Sequence, residues 1–266
     1  MKKIECVSFY KKLLSTLKES IKKTDNGKLV VILTREENSK IILEKINKEL
    51  NVNIEFVDCI YKMPEYIYSA ITSFNEDSQC KGIYIDTLDT RLKKEASIIY
   101  TMVHPTKDIA AMNVVNLGLQ QFNNYRIRLP IISAVIYCLE QSNINIEGKF
   151  VAIVNRNIGK QFAFAILEKN GTPVICHSKT RKLINIMKSA DIVISSTGKI
   201  DFVRRTMLKK DAIVFDIGYH NINGKVFGDV FIDDINDLNI TLATSNELHW
   251  LEQLFVFYNY IVLNKK

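Results

Sequence analysis

The sequence predicts an α/β protein in which parallel strands alternate with helices, divided between two domains. Along most of the chain, short apolar runs alternate with stretches whose apolar residues recur every three or four positions. The chain has 266 residues, of which 47% are hydrophobic, and this length suits two α/β domains of modest size. Residues 148–176 contain a strand, a helix and a second strand in succession, as in a βαβ unit. Parallel sheets built from such units are covered by helices on both faces.

Each element follows from its own hydrophobic period. Apolar residues at helical spacing predict helices at residues 5–23, 39–50, 64–75, 129–141, 159–167 and 248–263. Short and largely apolar runs predict strands at residues 28–33, 54–57, 82–86, 148–154, 171–176, 191–195, 212–216 and 240–244.

The βαβ unit has the layout of a dinucleotide-binding motif. A turn from Asn155 joins its first strand to the helix, which Gly159 and Lys160 open. The free backbone N–H groups and the dipole of such a helix favour an anion at its N-terminus, where a dinucleotide places its pyrophosphate. Arg156, within the turn, adds a cationic contact. We therefore expect Arg156, Gly159 and Lys160 to bind a cofactor.

The residues after the second strand of this unit predict which cofactor binds. An Asp or Glu in this place would accept a hydrogen bond from the ribose 2′-hydroxyl and repel a 2′-phosphate. The chain instead has Cys176-His177-Ser178-Lys179-Thr180, which offers hydrogen-bond donors and positive charge. His177 and Ser178 therefore predict NADP rather than NAD.

The turn of the motif also departs from the usual pattern. It has one glycine, Gly159, where the fingerprint has two or three, and the side chain of Asn155 would crowd a pyrophosphate. Weakened cofactor binding is one consequence. An α/β unit that keeps the fold and binds nothing is the alternative.

Several segments are similar to one enzyme family. Their order and spacing are shared, at residues 104–109, 116–118, 176–180, 190–194, 197–199, 212–218 and 224–230. In these segments the chain resembles the bifunctional methylenetetrahydrofolate dehydrogenase/cyclohydrolases, which are NADP-linked, two-domain enzymes of one-carbon metabolism. The resemblance extends through nearly the whole chain.

The resemblance implies how the chain is divided and what it binds. It implies a three-layer α/β catalytic-type domain of residues 1–125 completed by a C-terminal helix, 248–266, and a Rossmann-like NAD(P)-binding domain of residues 126–247. It adds Thr197, Gly198 and Ile217 to the cofactor-binding residues. It also implies a homodimer formed through the nucleotide domain, with a folate and NADP as small-molecule ligands.

Compared position by position with the family, the chain lacks the residue types that carry the family's proton transfer. The family's Tyr-x-x-x-Lys pair follows a Ser on a helix of the first domain, and an ungapped alignment through Ser39 puts Ile42 and Ile46 at those two positions. A general acid or base typically contributes about 10² to 10⁴-fold to a rate, and isoleucine carries no proton. Lys45 and Lys48 are rotated by about 100° and 200° from the lysine position, so we expect them on a solvated face.

Three other family features are replaced. Asp86 stands where the family has the Gln that assists the lysine, and Ala110 stands where it has an Asp that anchors the pterin. Asp86 is a candidate polar site residue, although an exposed strand-end carboxylate is the commoner case. The family's glycine- and proline-rich loop after the last strand corresponds to residues 240–250, which contain neither residue type and are compatible with a helix. The sequence thus predicts no catalytic residue.

Charge and composition exclude other classes of protein. The net charge of +7 suits anionic small ligands, while Lys and Arg scatter along helices without the basic and aromatic groove typical of nucleic-acid binding. No apolar stretch reaches the roughly 20 residues of a membrane span, so we expect a cytosolic protein. The five cysteines lack metal-ligand spacing and are predicted to be reduced core thiols, without a metal site.

Three functional hypotheses remain. The first, which we favour, is a diverged relative that keeps the fold and a weakened NADP site but has lost cyclohydrolase and most dehydrogenase activity. The second is an active NADP-dependent enzyme with a rebuilt site, because hydride transfer depends mainly on positioning cofactor and substrate. The third is a non-catalytic interaction subunit.

Overall fold

The structure, a computed structural model, describes residues 1–24, 27–35, 39–86, 88–223 and 225–265. Gly224 and Lys266, which belong to segments named above, lie outside these ranges. The chain forms two compact units. The large-sheet unit contains residues 1–10 and 131–252, and the small-sheet unit contains residues 11–130 and 253–266.

The elements of the described residues are labelled in chain order. The strands are β1 (Lys2–Lys3), β2 (Lys28–Leu33), β3 (Asn53–Asp58), β4 (Cys80–Ile85), β5 (Phe150–Val154), β6 (Thr172–Cys176), β7 (Ile192–Ser195), β8 (Ile213–Asp216), β9 (His220–Ile222), β10 (Lys225–Phe227) and β11 (Thr241–Ala243). The helices are α1 (Cys6–Ile21), α2 (Ser39–Leu50), α3 (Pro64–Glu76), α4 (Ala96–Met102), α5 (Val114–Gln121), α6 (Pro130–Gln141), α7 (Arg156–Leu167), α8 (Leu183–Ser189), α9 (Ile232–Ile235) and α10 (Ser245–Asn264).

The large-sheet unit is built on a parallel sheet with the strand order β1-β11-β8-β7-β5-β6. Its central strands are buried and apolar, as is typical of parallel sheets covered on both faces. The chain runs from β5 outward to β6 and then crosses back to β7 on the other side of β5. This reversal makes a topological switch point between β5 and β7, where ligands of open α/β sheets bind.

The small-sheet unit has a three-stranded parallel sheet in the order β3-β2-β4. Its central strand β2 is a run of buried Leu, Val and Ile residues. Ile32, Ile67, Ile83 and Ile99 belong to one buried cluster that joins the sheet to helices α3 and α4. The segment from Lys107 to Ile109 continues this sheet, because it exchanges backbone hydrogen bonds with Ile83 of β4.

The predicted α/β class with parallel sheets is confirmed, and the predicted strands and helices are present with ends shifted by a few residues. Strand β1, helices α4, α5, α8 and α9 and the hairpin β9–β10 were not predicted, because they are short and lack a clear period. The units also differ from the domains implied by the resemblance. Residues 1–10 group with the large sheet, since Lys2 and Ile4 donate backbone hydrogen bonds to Ile240 and Leu242. The other unit boundaries follow residues 130 and 252 rather than 125 and 247.

Candidate functional site

The predicted cofactor-binding residues lie at one edge of the large sheet. They follow the carboxyl ends of four neighbouring parallel strands, with Arg156, Gly159 and Lys160 after β5, His177 and Ser178 after β6, Thr197 and Gly198 after β7, and Ile217 after β8. Ligands of such sheets bind along this edge. The fold thus brings together residues that are up to 61 positions apart in the sequence, from 156 to 217.

Asn155 closes the turn between β5 and α7. Its side-chain Oδ1 accepts hydrogen bonds from the backbone N–H groups of Asn157 (2.8 Å) and Ile158 (3.3 Å), so it is the N-cap of α7. Its Nδ2 donates to the carbonyl oxygen of Ser196 at 2.6 Å. The two amides that would face an anion at this helix end are therefore already bonded to a side chain.

The turn that follows β6 presents its polar groups to solvent. The backbone N–H of His177 donates to the Thr180 hydroxyl (2.8 Å), and Nδ1 of His177 accepts from the backbone N–H of Lys179 (3.2 Å). Ser178 and Lys179 are exposed, as is Arg156 in the neighbouring turn. This surface offers a hydroxyl and two cations to an anionic group.

The buried carboxylates of Asp216 and Asp229 hold the ends of β7 and β8 in place through hydrogen bonds, and we call this pair the brace. Asp216 accepts hydrogen bonds from the backbone N–H groups of Gly218 (3.2 Å), Asp229 (2.9 Å) and Val230 (2.9 Å). Asp229 accepts from the Ser195 hydroxyl and from the backbone N–H of Thr197. Burial, reinforced by the negative Asp229, raises the pKa of Asp216 to about 7, although its hydrogen bonds oppose the shift.

Glycines make this brace and the neighbouring helix contact sterically feasible. A Cβ atom at Gly228 would collide with the Asp216 carboxylate, and one at Gly218 would collide with Asp229. Gly159 is buried in α7, where a Cβ atom would lie 2.9 Å from Cγ2 of Ile175 on β6. Gly159 therefore serves close helix–strand packing, which is one of the roles of glycine in dinucleotide-binding folds.

Only Thr244 separates β11 from α10, so the residues after the last strand enter a helix directly. This agrees with the prediction for residues 240–250. The Ser245 hydroxyl donates to the Gly218 carbonyl oxygen, which ties the start of α10 to the end of β8. One turn further, the His249 ring packs on Tyr219 with a centroid distance of 4.2 Å.

In the small-sheet unit, helix α2 buries its apolar positions and exposes its lysines. Ile42 is 5% exposed and Ile46 is fully buried, while Lys45 and Lys48 are exposed. The expected exposure of Lys45 and Lys48 is confirmed.

The two other positions compared with the family are also buried. The expectation of an exposed Asp86 is wrong, because Asp86 is 2% exposed and its backbone N–H donates to Ile32 of β2. Its carboxylate adds to burial in raising the pKa of Tyr100 on α4, while Arg35 opposes the shift. Ala110 is 3% exposed and contributes no polar group.

Other polar residues around Ala110 are bonded within the unit. Lys107 Nζ donates to the carbonyl oxygens of Phe74, Asn75 and Asp77 at the end of α3. Asp108 accepts from the backbone of Asn113 (2.8 Å) and from the Asn116 side chain (2.9 Å), and burial raises its pKa. Sequence reasoning missed Tyr100, which lies in the short helix α4, and Asn113, which caps the short helix α5, because neither helix has a clear hydrophobic period.

The residues at this edge of the sheet are suited to the 2′-phosphate of NADP but not to its pyrophosphate. Ser178, Lys179 and Arg156 are exposed and suitable for a 2′-phosphate. The pyrophosphate position at α7 does not fit, since Asn155 occupies its amides. Within the described ranges, no cluster of His, Cys, Asp and Glu is placed to hold a metal, and no helix is long and apolar enough to cross a membrane. The five cysteines are free and buried.

A six-stranded parallel sheet with a switch point and a βαβ turn defines a protein with a Rossmann-like domain. Residues 131–245 match the family model of the tetrahydrofolate dehydrogenase/cyclohydrolase NAD(P)-binding domain. The bifunctional protein FolD of Thermodesulfovibrio yellowstonii is 32% identical over 248 residues, which cover 85% of each chain. That of Malacoplasma penetrans is 27% identical over 275 residues, covering 99% of this chain and 97% of the relative.

Solved structures show the same fold. The bifunctional 5,10-methylenetetrahydrofolate dehydrogenase/cyclohydrolase from Thermoplasma acidophilum has a TM-score of 0.87 at 21% identity, covering 99% of this chain and 98% of that one. The Trypanosoma brucei enzyme, complexed with NADP cofactor and an inhibitor, has a TM-score of 0.86 at 21% identity, with coverages of 97% and 95%. This chain belongs to the tetrahydrofolate dehydrogenase/cyclohydrolase family.

Proposed function

We propose that this protein is a diverged methylenetetrahydrofolate dehydrogenase/cyclohydrolase-like protein of folate one-carbon metabolism that has lost cyclohydrolase activity and most dehydrogenase activity. It keeps the fold of the family and a preference for nucleotides with a 2′-phosphate. Its small-molecule ligands are then a folate and an NADP-type nucleotide. A cytosolic homodimer is part of the proposal, on the family resemblance alone.

The burial of Ile42 and Ile46 carries this proposal. A register of α2 that brought Lys45 or Lys48 to the lysine position would turn the apolar face of the helix towards solvent. Exposing a buried Ile or Leu side chain costs about 1.5 to 3 kcal/mol, and Ile42, Leu43 and Ile46 would each incur that cost. The buried face therefore disfavours a shifted helix that restores an ammonium group.

Hydrolysis of methenyltetrahydrofolate by the purified protein tests the loss of activity. We expect no hydrolysis above the uncatalysed rate, because a family position for proton transfer holds isoleucine. The FolD protein of Thermodesulfovibrio yellowstonii serves as a reference relative. A turnover of about 1 to 10³ per second would overturn the proposal.

The second candidate is an active enzyme with a rebuilt site. The observation in its favour is that Asp86 is a buried carboxylate at the end of β4, in electrostatic range of Tyr100. If activity is found, its loss in Asp86→Asn but not in Lys48→Ala would support this candidate. Loss in Lys48→Ala would instead indicate a shifted helix.

Thermal shift with NADP and NAD tests the nucleotide preference. We expect NADP to raise the melting temperature more than NAD, and Ser178→Asp to reverse this order, because a carboxylate repels the 2′-phosphate and accepts from a 2′-hydroxyl. Thr172→Asp is the matched control, since Thr172 is exposed at the amino end of the same strand. An equal response to both nucleotides in the unmodified protein would contradict the preference.

A further inference from the structure

The carboxamide of Asn155 lies across the switch point of the large sheet. Asn155 follows β5, and Ser196, whose carbonyl oxygen it binds at 2.6 Å, follows β7. These are the two strands between which the chain reverses its winding. The backbone N–H of Ser196 also donates to the carbonyl oxygen of Val154, so the two turns are joined twice.

Both polar atoms of the Asn155 side chain already form hydrogen bonds within the chain, and these bonds compete with the binding of a dinucleotide. Oδ1 holds the amides of Asn157 and Ile158, which are the donors that a helix N-terminus offers to a phosphate. Nδ2 holds the carboxamide in place through Ser196, so the cap is fixed from two elements. A pyrophosphate that entered here would have to break three hydrogen bonds and find room beside the side chain.

We infer that Asn155 is a specificity-determining residue that closes this crevice to a dinucleotide pyrophosphate, so that the site takes a nucleotide 2′-monophosphate at least as tightly as an intact dinucleotide. The inference rests on the proposed function, because the remaining affinity comes from the 2′-phosphate surface formed by Ser178, Lys179 and Arg156. These three side chains lie in the turn after β6 and at the exposed start of α7, and none of them takes part in the hydrogen bonds of the Asn155 cap.

Calorimetric titration of the protein with adenosine 2′-monophosphate, NADP and NAD tests the inference. We expect the unmodified protein to bind adenosine 2′-monophosphate as tightly as NADP or more tightly. Asn155→Gly should bind NADP at least tenfold more tightly, with its affinity for adenosine 2′-monophosphate changed by less than twofold. Glycine is a tolerated N-cap residue, and the extended φ of −171° at this position is open to any residue, so the variant should fold.

Two further variants separate crowding from general effects on the helix. Asn155→Asp keeps the cap, loses the hydrogen bond to the Ser196 carbonyl oxygen and adds a negative charge, so it should reduce NADP binding further. Asn157→Ala changes an exposed residue of the same turn and should leave NADP affinity within twofold. NADP binding to the unmodified protein ten times tighter than adenosine 2′-monophosphate would overturn the inference, as would a folded Asn155→Gly variant with no gain.

Failure of the proposed function has a different signature. If Asn155→Gly gains affinity for NADP and NAD equally while adenosine 2′-monophosphate does not bind, the closed crevice stands and the 2′-phosphate preference fails. If adenosine 2′-monophosphate binds and Asn155→Gly gains nothing, the preference stands and the inference fails. If no nucleotide binds to any variant, both are overturned.

Discussion

Two regions of the molecule differ in the residues that they bury. The carboxyl ends of the strands in the large sheet bury polar residues, whereas the buried face of α2 in the small-sheet unit is apolar. Asp216 and Asp229 at the large sheet accept hydrogen bonds from backbone amides and hold two turns together. Ile42 and Ile46 on α2 are apolar and buried where the resemblance leads us to expect a proton-transferring pair. The polar residues named at the large sheet thus have partners within the chain, whereas the two positions compared on α2 hold apolar side chains. A family resemblance at such residues therefore supports a shared fold more strongly than a shared activity.

The largest effect is expected from breaking the brace at the large sheet. In Gly228→Ala, the new methyl group collides with the buried Asp216 carboxylate, which three backbone amides hold in place. We expect the free energy of unfolding to fall by more than about 4 kcal/mol, measured by urea denaturation. Gly118→Ala is the control, since Gly118 lies in α5 with open space around it and should gain up to about 1 kcal/mol. A cost below about 1 kcal/mol at Gly228 would show that the brace is dispensable.

A substitution that leaves a cavity beneath the buried face of α2 tests the second region of this comparison. Ile46→Ala removes a fully buried side chain, and we expect a loss of about 3 kcal/mol in the free energy of unfolding. Lys48→Ala, on the exposed face of the same helix, should stay within about 0.5 kcal/mol. Similar losses for both variants would mean that Ile46 does not belong to the core, and the argument for a silenced site would lose its basis.

Hydrophobic periodicity was sufficient to predict most of the fold. The buried run of β2 and the βαβ unit around α7 are encoded locally, so their class and approximate ends follow from the sequence. The placement of cofactor-side residues at one edge also follows, because parallel strands share their carboxyl ends.

The remaining features depend on contacts that are distant in the sequence. The burial of Asp86 arises from packing in the small-sheet unit, which includes the seven-residue helix α4, too short to predict. The bond that fixes the Asn155 cap from a second element goes to Ser196, 41 residues away, and the brace at Asp216 requires Asp229. A local pattern contains no information on such pairs, so the sequence predicted crowding at Asn155 but not the closed turn.

The smallest effect concerns the pH dependence of the brace. The pKa of Asp216 is raised to about 7 in the folded protein and is about 3.9 in an unfolded chain. Between these values the folded state holds a proton that the unfolded state lacks, so this contribution to stability is full below about pH 4 and is lost as the pH rises to about 7. The slope is at most about 1.4 kcal/mol per pH unit.

Urea unfolding from pH 4.5 to 7.5 should show that Asp216→Asn removes this decline in stability. Asp191→Asn should instead remove a loss of stability on acidification below about pH 4, because Lys209 lowers the pKa of Asp191. Parallel pH profiles for the unmodified protein and Asp216→Asn would contradict the assignment, and the brace would then hold its carboxylate in the ionised form throughout.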